Sequence, residues 1–198
     1  LGHQHPRLVA AIREQAGKLC FVTNAWGAQP RAELAERLLA LSGFAGGRVF
    51  FTNGGADANE HAVKIARLAA GKPEGKIIAR DRSYHGATRL AQALSGDSRT
   101  SSGASAEALG GRHVPPPYGY RCPFGSRDEN ECGELAAGAV ADRIDQLGAA
   151  QVAAVIMETN AGSNGIVAPD SYWPALRRHT AQRGVWLIAD EVMSAFGR

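Results

Sequence analysis

An α/β fold, with a mostly parallel sheet covered by helices on both faces, is what this sequence predicts. Three observations carry it. Short apolar runs recur at residues 48–52, 76–80, 152–157 and 185–189, and runs of this length suit strands buried on both sides. The intervals between them hold segments with helical periodicity, the alternation that builds a parallel sheet. The 24 glycines among 198 residues supply the tight turns that such alternation needs.

Taken in order, residues 6–18 read as an amphipathic helix opened by Pro6, with Leu8, Ile12, Ala16 and Leu19 near one face. Pro30 suits the first position of a second helix, which carries Leu34, Leu38 and Leu41 and stops at Gly43. A strand over 48–52 (Arg-Val-Phe-Phe-Thr) leads through Asn53-Gly54-Gly55 into a helix over 56–70 closed by Gly71. A strand over 76–80 is followed by a polar turn to Gly86 and a short helix to Leu94. Residues 95–133 are rich in Ser, Gly and Pro and form an irregular excursion. A helix over about 134–147, a strand over 152–157, a helix over 170–182 and a strand over 185–189 complete the pattern. No internal repeat or linker is visible, so one domain is expected, with residues 1–45 as a helical lead-in. Leu1 and the ending Phe196-Gly197-Arg198 read as cut ends of a longer protein.

Bulk properties narrow the function. The net charge is +3, with basic residues scattered, so nucleic acid is not an expected partner. No apolar run reaches membrane-spanning length and no signal-peptide pattern opens the chain, so no membrane partner is expected either. Cys20, Cys122 and Cys132 show no CxxC spacing. They predict neither a disulfide framework nor a zinc site, and point to a reducing, cytoplasmic setting.

In open parallel sheets, ligands bind beyond the carboxyl ends of the strands. Four unusual clusters follow the four candidate strands: Asn53-Gly54-Gly55-Ala56-Asp57, Ser83-Tyr84-His85-Gly86, Glu158-Thr159-Asn160-Ala161-Gly162 and Asp190-Glu191-Val192. Gly55 and Ala56 open a helix, where backbone N–H groups and the helix dipole suit a phosphate; a tight turn that merely needs glycine explains them equally well. Tyr84-His85 could stack on a flat ring, although a strand-end aromatic beside a hydrogen-bonded histidine accounts for the pair more simply. His3 and His5 have metal-like spacing but no third ligand, so no metal is expected. Asp190 is the sharpest element. A carboxylate ending a buried strand suits a protonated ring nitrogen such as that of pyridoxal phosphate. A magnesium ligand in an ATPase or a helix cap are the competing roles, and the phosphate loop of an ATPase is missing.

Together these residues resemble the class III (omega-type) aminotransferases, pyridoxal-phosphate enzymes of fold type I. The run from Asn53 to Glu60, with Ala62, Lys64, Ala66 and Arg67, resembles that family's phosphate-cup helix. Tyr84-His85-Gly86 resembles its aromatic-His-Gly motif. Asp190-Glu191-Val192 with Phe196-Gly197-Arg198 resembles its Asp-Glu-Val…Gly-Phe-Gly-Arg pattern. Leu1-Gly2-His3-Gln4-His5-Pro6 and the stretches 114–118 and 121–124 also look like family segments.

The resemblance implies pyridoxal 5'-phosphate as cofactor. It implies backbone hydrogen bonds from Gly55 and Ala56 to the phosphate, and Tyr84 stacked on one ring face with His85 beside it. Asp190 pairs with the ring nitrogen as the electron-sink partner, Val192 packs on the other face, and Glu158 supports from behind. It also implies amino transfer between a small-molecule amine and a keto acid in a homodimeric full-length protein. An aminomutase or a dialkylglycine-type decarboxylase of the same family, or an inactive fragment that only binds, are the alternatives.

Departures sharpen the expectation. Thr159 stands where the family has proline, and Ala195 replaces a typical glycine. Gly162-Ser163-Asn164-Gly165 lacks the second glutamate of Gly-Glu-Gly, which suggests an enzyme linked to pyruvate and acting on an amine or an omega-amino acid such as taurine or β-alanine. The only lysines are Lys18, Lys64, Lys72 and Lys76. The Schiff-base lysine implied by the resemblance lies beyond Asp190, so it and the small C-terminal domain are expected outside this chain. The fragment alone is then expected to be inactive.

Overall fold

A computed structural model of the chain describes residues 2–23, 25–98 and 106–197. It divides into two compact units, Leu1–Phe51 and Thr52–Arg198. The family-like ends at Leu1 and Arg198 fall outside the described residues.

The first unit holds helix α1 (Pro6–Lys18) and helix α2 (Gln29–Ser42). Each has proline in its first turn, where the missing N–H costs nothing. Gly43 closes α2 in the left-handed conformation, at φ 70°. Neither helix contains a buried residue. The strand expected over 48–52 does not form. The β preference of Val49-Phe50-Phe51 is a preference for a pleated, half-buried surface; here Phe50 is largely exposed, and the sheet draws none of its strands from this stretch.

The second unit begins with helix α3 (Gly55–Ala69), then strand β1 (Lys76–Arg80) and helix α4 (Arg89–Leu94). The excursion is less irregular than its composition suggests. It contains strand β2 (Gly111–Val114), and helix α5 (Glu129–Leu147) starts well before residue 134. Asp128 caps α5 by accepting from the Glu131 N–H at 2.9 Å, a start signal visible in Asp128-Glu129-Asn130-Glu131. Strand β3 (Val152–Glu158), a small antiparallel pair β4 (Asn160–Ala161) and β5 (Ile166–Val167), helix α6 (Tyr172–Gln182) and strand β6 (Trp186–Asp190) follow.

The main sheet has the order β2-β1-β3-β6 and every pairing is parallel. One face packs Ile78, Val155 and Met157 against Val140 and Ile144 of α5 and Leu176 of α6. The other packs Ile77, Ala79 and Ile156 against Val63 of α3 and Leu94 of α4. The alternation in β3 breaks once. Lys76 pairs with Val152 but Ile77 pairs with Ala154, so Ala153 is an extra residue. That is why Ala153 and Ala154 both serve the second face. Beyond the bulge the register sets Glu158 opposite Asp190, two acids side by side at the carboxyl edge.

Cys122 and Cys132 form a disulfide, with Cα atoms 5.9 Å apart, which corrects the expectation that the cysteines would make none. Their ten-residue separation hid the pair, because spacing without geometry says nothing about approach. It joins the segment after β2 to the start of α5. Reducing it should lower unfolding free energy by about 2–3 kcal/mol, from the loop entropy released to the unfolded chain. Denaturant titrations with and without dithiothreitol measure this.

Candidate active site

The carboxyl edge of the sheet gathers the chemistry. A cavity of about 340 Å³ is lined by Gly55, Ala56, Asn59, Tyr84, His85, Gly86, Ala87, Glu158, Asn160, Asp190, Val192 and Met193. All seven cofactor-binding residues read from the sequence (Gly55, Ala56, Tyr84, His85, Glu158, Asp190 and Val192) therefore face one space.

Asp190 is 5% exposed and is closely held. Its Oδ2 accepts from Asn59 Nδ2 at 2.7 Å and contacts His85 Nδ1 at 2.9 Å. Its Oδ1 accepts from the Val192 N–H at 3.0 Å. Burial alone would push the carboxyl up, but the His85 hydrogen bond, the Val192 N–H, the His85 charge and Asn59 together bring it below the usual aspartate range. Asp190 is thus an anion at the wall of the cavity. Glu158, its neighbour in register, goes the other way. Burial pushes its carboxyl up, and the Tyr84 N–H, His85 and Arg80 only partly oppose this, while Asp190 adds to it. Two adjacent acids are driven apart by their surroundings, the pattern by which a site separates roles.

The same cavity is lined by a helix start. Gly54 caps α3 with no side-chain hydrogen bond to its first turn, so the leading N–H groups and the positive end of the dipole remain available. A Cβ on Gly55 would stand 2.8 Å from Val192 Cγ1; only glycine lets the helix start this close to the turn after β6. Tyr84 lies at the rim, 39% exposed, and its N–H donates to Glu158 Oε2 at 3.0 Å. His85 is fully inside, and its Nε2 is buried without a partner among the described residues. Glu191 points away: it accepts from Thr159 Oγ1 at 2.6 Å and Ser194 Oγ at 2.7 Å.

Comparisons with known proteins identify the family. Residues 1–198 match the family model described as aminotransferase class-III. This chain belongs to the class-III aminotransferase family. It is 36% identical to the acetylornithine aminotransferase of Methanothermobacter thermautotrophicus, over all of this chain and 44% of that protein. It superimposes with a TM-score of 0.90, at 34% identity, on an amine transaminase from an uncultivated Pseudomonas species in a PLP-bound form, over the whole chain and 46% of that one. It also superimposes, with a TM-score of 0.86 at 35% identity, on a taurine:2-oxoglutarate aminotransferase of Bifidobacterium kashiwanohense in complex with PLP and glutamate, covering all of this chain and 45% of that one. The chain thus spans less than half the length of these relatives. The fold is that of the fold type I transaminases.

Two polar residues at or near this cavity were missed in the sequence. Asn59 touches Asp190 directly, and its place four residues after Gly55 puts it on the same helix face; that spacing was the available signal. Arg80 is buried and donates from Nη2 to the Glu158 carbonyl at 2.6 Å. As the last residue of β1 it reads only as part of the strand. Thr159, where the family resemblance implies proline, has a visible job. Its N–H donates to the Asp190 carbonyl at 3.2 Å and its hydroxyl to Glu191, fastening the turn that carries Val192. Thr159→Pro should remove both bonds and cost about 1–3 kcal/mol of stability, whereas Thr159→Ser should stay within about 0.5 kcal/mol. Chemical denaturation of the two variants checks this.

Proposed function

We propose that this chain is the cofactor-binding part of the large domain of a pyridoxal 5'-phosphate-dependent aminotransferase. The complete protein moves an amino group from an amine or omega-amino acid of the taurine or β-alanine type to a keto acid such as pyruvate. The observation that carries the reading is Asp190, kept anionic by three hydrogen bonds in a cavity that an open helix N-terminus also lines.

The residues present fit the cofactor. Its phosphate suits the N–H groups of Gly55 and Ala56, and the glycine backbone leaves the approach clear. Its ring, when bound, supplies an electron sink for the pair released at the substrate carbon. Asp190 would hold the proton on the ring nitrogen, because a nearby anion favours the charged ring. Tyr84 and Val192 would hold the ring between them. His85 aims Asp190, and Glu158 holds the backbone of Tyr84.

No lysine lines the cavity. Lys72 is committed elsewhere, donating to the carbonyls of Ala149 and Val152 at 2.9 Å each, at the amino end of β3. The amine that carries protons at the reacting carbon therefore comes, in this proposal, from the remainder of the protein, and residues 1–198 alone bind cofactor without turnover. The turn between β4 and β5 offers Ser163 and Asn164 rather than an acid, with Asn164 reaching Asp97 at 3.4 Å, which supports a pyruvate-linked enzyme. A homodimer of the complete protein is part of the proposal. No described helix is long and apolar enough to cross a membrane. A cytoplasmic setting is part of the proposal, and the Cys122–Cys132 disulfide is the observation that stands against it. The test uses the complete protein with pyridoxal 5'-phosphate, taurine, β-alanine or a primary amine, and pyruvate. Alanine formation supports the reading; release of carbon dioxide without amino transfer, or no cofactor binding, overturns it.

A further inference from the structure

We propose that Asn59 is a positioning residue that gauges the cofactor, tying the helix start that takes the phosphate to the acid that takes the ring nitrogen; this rests on the pyridoxal-phosphate reading above. Asn59 is 5% exposed and sits one turn into α3. Its amide nitrogen has two hydrogens and both are used: one goes to the His85 carbonyl at 2.8 Å, the other to Asp190 Oδ2 at 2.7 Å. One atom thereby bonds two of the three segments to the third, joining α3 to both the 83–86 turn and the end of β6, which His85 also links to each other.

The bond also decides which oxygen of Asp190 is used. Oδ2 takes Asn59 and His85, while Oδ1 takes only the Val192 N–H. A carboxylate oxygen accepts at least two hydrogen bonds, so Oδ1 keeps capacity for a ring N–H. Without Asn59, Oδ2 keeps His85 alone and the carboxylate is free to turn. The charged and titratable groups around Asp190 are His85 from the turn, Glu158 from β3 and, behind Glu158, Arg80 from β1. Asn59 is the neutral group among them, and it adds a donor without adding a charge.

The experiment uses the complete protein loaded with ring-nitrogen-labelled pyridoxal 5'-phosphate, read by ¹⁵N NMR against pH, together with cofactor affinity by absorbance titration. Asn59→Leu keeps the approximate shape and removes both donors. It should lower the pH midpoint of ring-nitrogen deprotonation by about one unit and weaken cofactor binding about tenfold, the scale of one hydrogen bond to a charged group. Asn59→Ser, which keeps one donor, should fall between it and the unmodified protein, and serves alone if the leucine variant does not fold. Ser95→Ala removes the hydroxyl that accepts from the His85 N–H at 2.8 Å. It loosens the same turn but leaves the Asn59 and His85 side chains that bond Asp190 in place, so it should move the midpoint less than Asn59→Leu does. If the Asn59 variants titrate with the unmodified protein, or if Ser95→Ala shifts the midpoint as much as they do, the gauge role is wrong while the functional reading stands. If the unmodified protein does not bind the labelled compound, the functional reading itself has failed.

Discussion

Asp190→Asn, in the complete protein, will keep cofactor but lower amino transfer by about 10²–10³-fold, the usual cost of removing one preorganised electrostatic partner. The reasoning is local. Asparagine has nearly the same shape, so its carbonyl oxygen can replace Oδ2 and still accept from Asn59 and His85. Its NH₂ then occupies the place of Oδ1, facing the Val192 N–H and the ring. Two donors face each other, and the group meant to receive a ring N–H can no longer do so. The negative charge that favours ring protonation is gone as well. Steady-state kinetics, with cofactor content measured on the same samples, separates lost chemistry from lost binding. Turnover within tenfold of the unmodified protein would remove Asp190 from the central role.

The second large effect is expected at Gly86. Its φ is +133°, and a Cβ there would stand 2.6 Å from Ala56 Cβ and 2.8 Å from Ala56 Cα. Gly86→Ala therefore strains the backbone and pushes on the second residue of α3, where the phosphate is proposed to sit. Backbone strain of about 1–3 kcal/mol and overpacking of about 1–3 kcal/mol give a loss of about 2–6 kcal/mol. Cofactor affinity should fall at least tenfold with it. Gly138 makes the contrast: in α5 a Cβ at this position meets nothing within 4 Å. Gly138→Ala should stabilise by about 0.5–1 kcal/mol through helix propensity alone. Denaturant titration and cofactor titration of both variants test the pair.

Much of this was legible in the residues because the relevant physics is local. The apolar runs at 76–80 and 152–157 are strands since a parallel sheet buries both faces, and Gly43 and Gly71 end helices where a left-handed residue is needed, at φ 70° and 64°. The convergence of Tyr84, His85, Glu158 and Asp190 followed from one topological rule about strand ends. What stayed hidden was long-range or context-bound. Val49-Phe50-Phe51 has strand propensity but no place in the sheet. Gly111–Val114 looks too polar for a strand and becomes one because β1 offers it an edge. The Cys122–Cys132 pair depends on an approach that no spacing reveals, and the only trace of the link from Asn59 to Asp190, 131 residues apart, was the place of Asn59 one turn after Gly55.

The most direct test of the central claim is the protonation state of the bound ring. With the complete protein and ring-nitrogen-labelled pyridoxal 5'-phosphate at neutral pH, the ¹⁵N resonance should be that of a pyridinium, and Asp190→Asn should move it to that of a neutral pyridine. A neutral pyridine resonance in the unmodified protein, with the cofactor bound, would contradict the account.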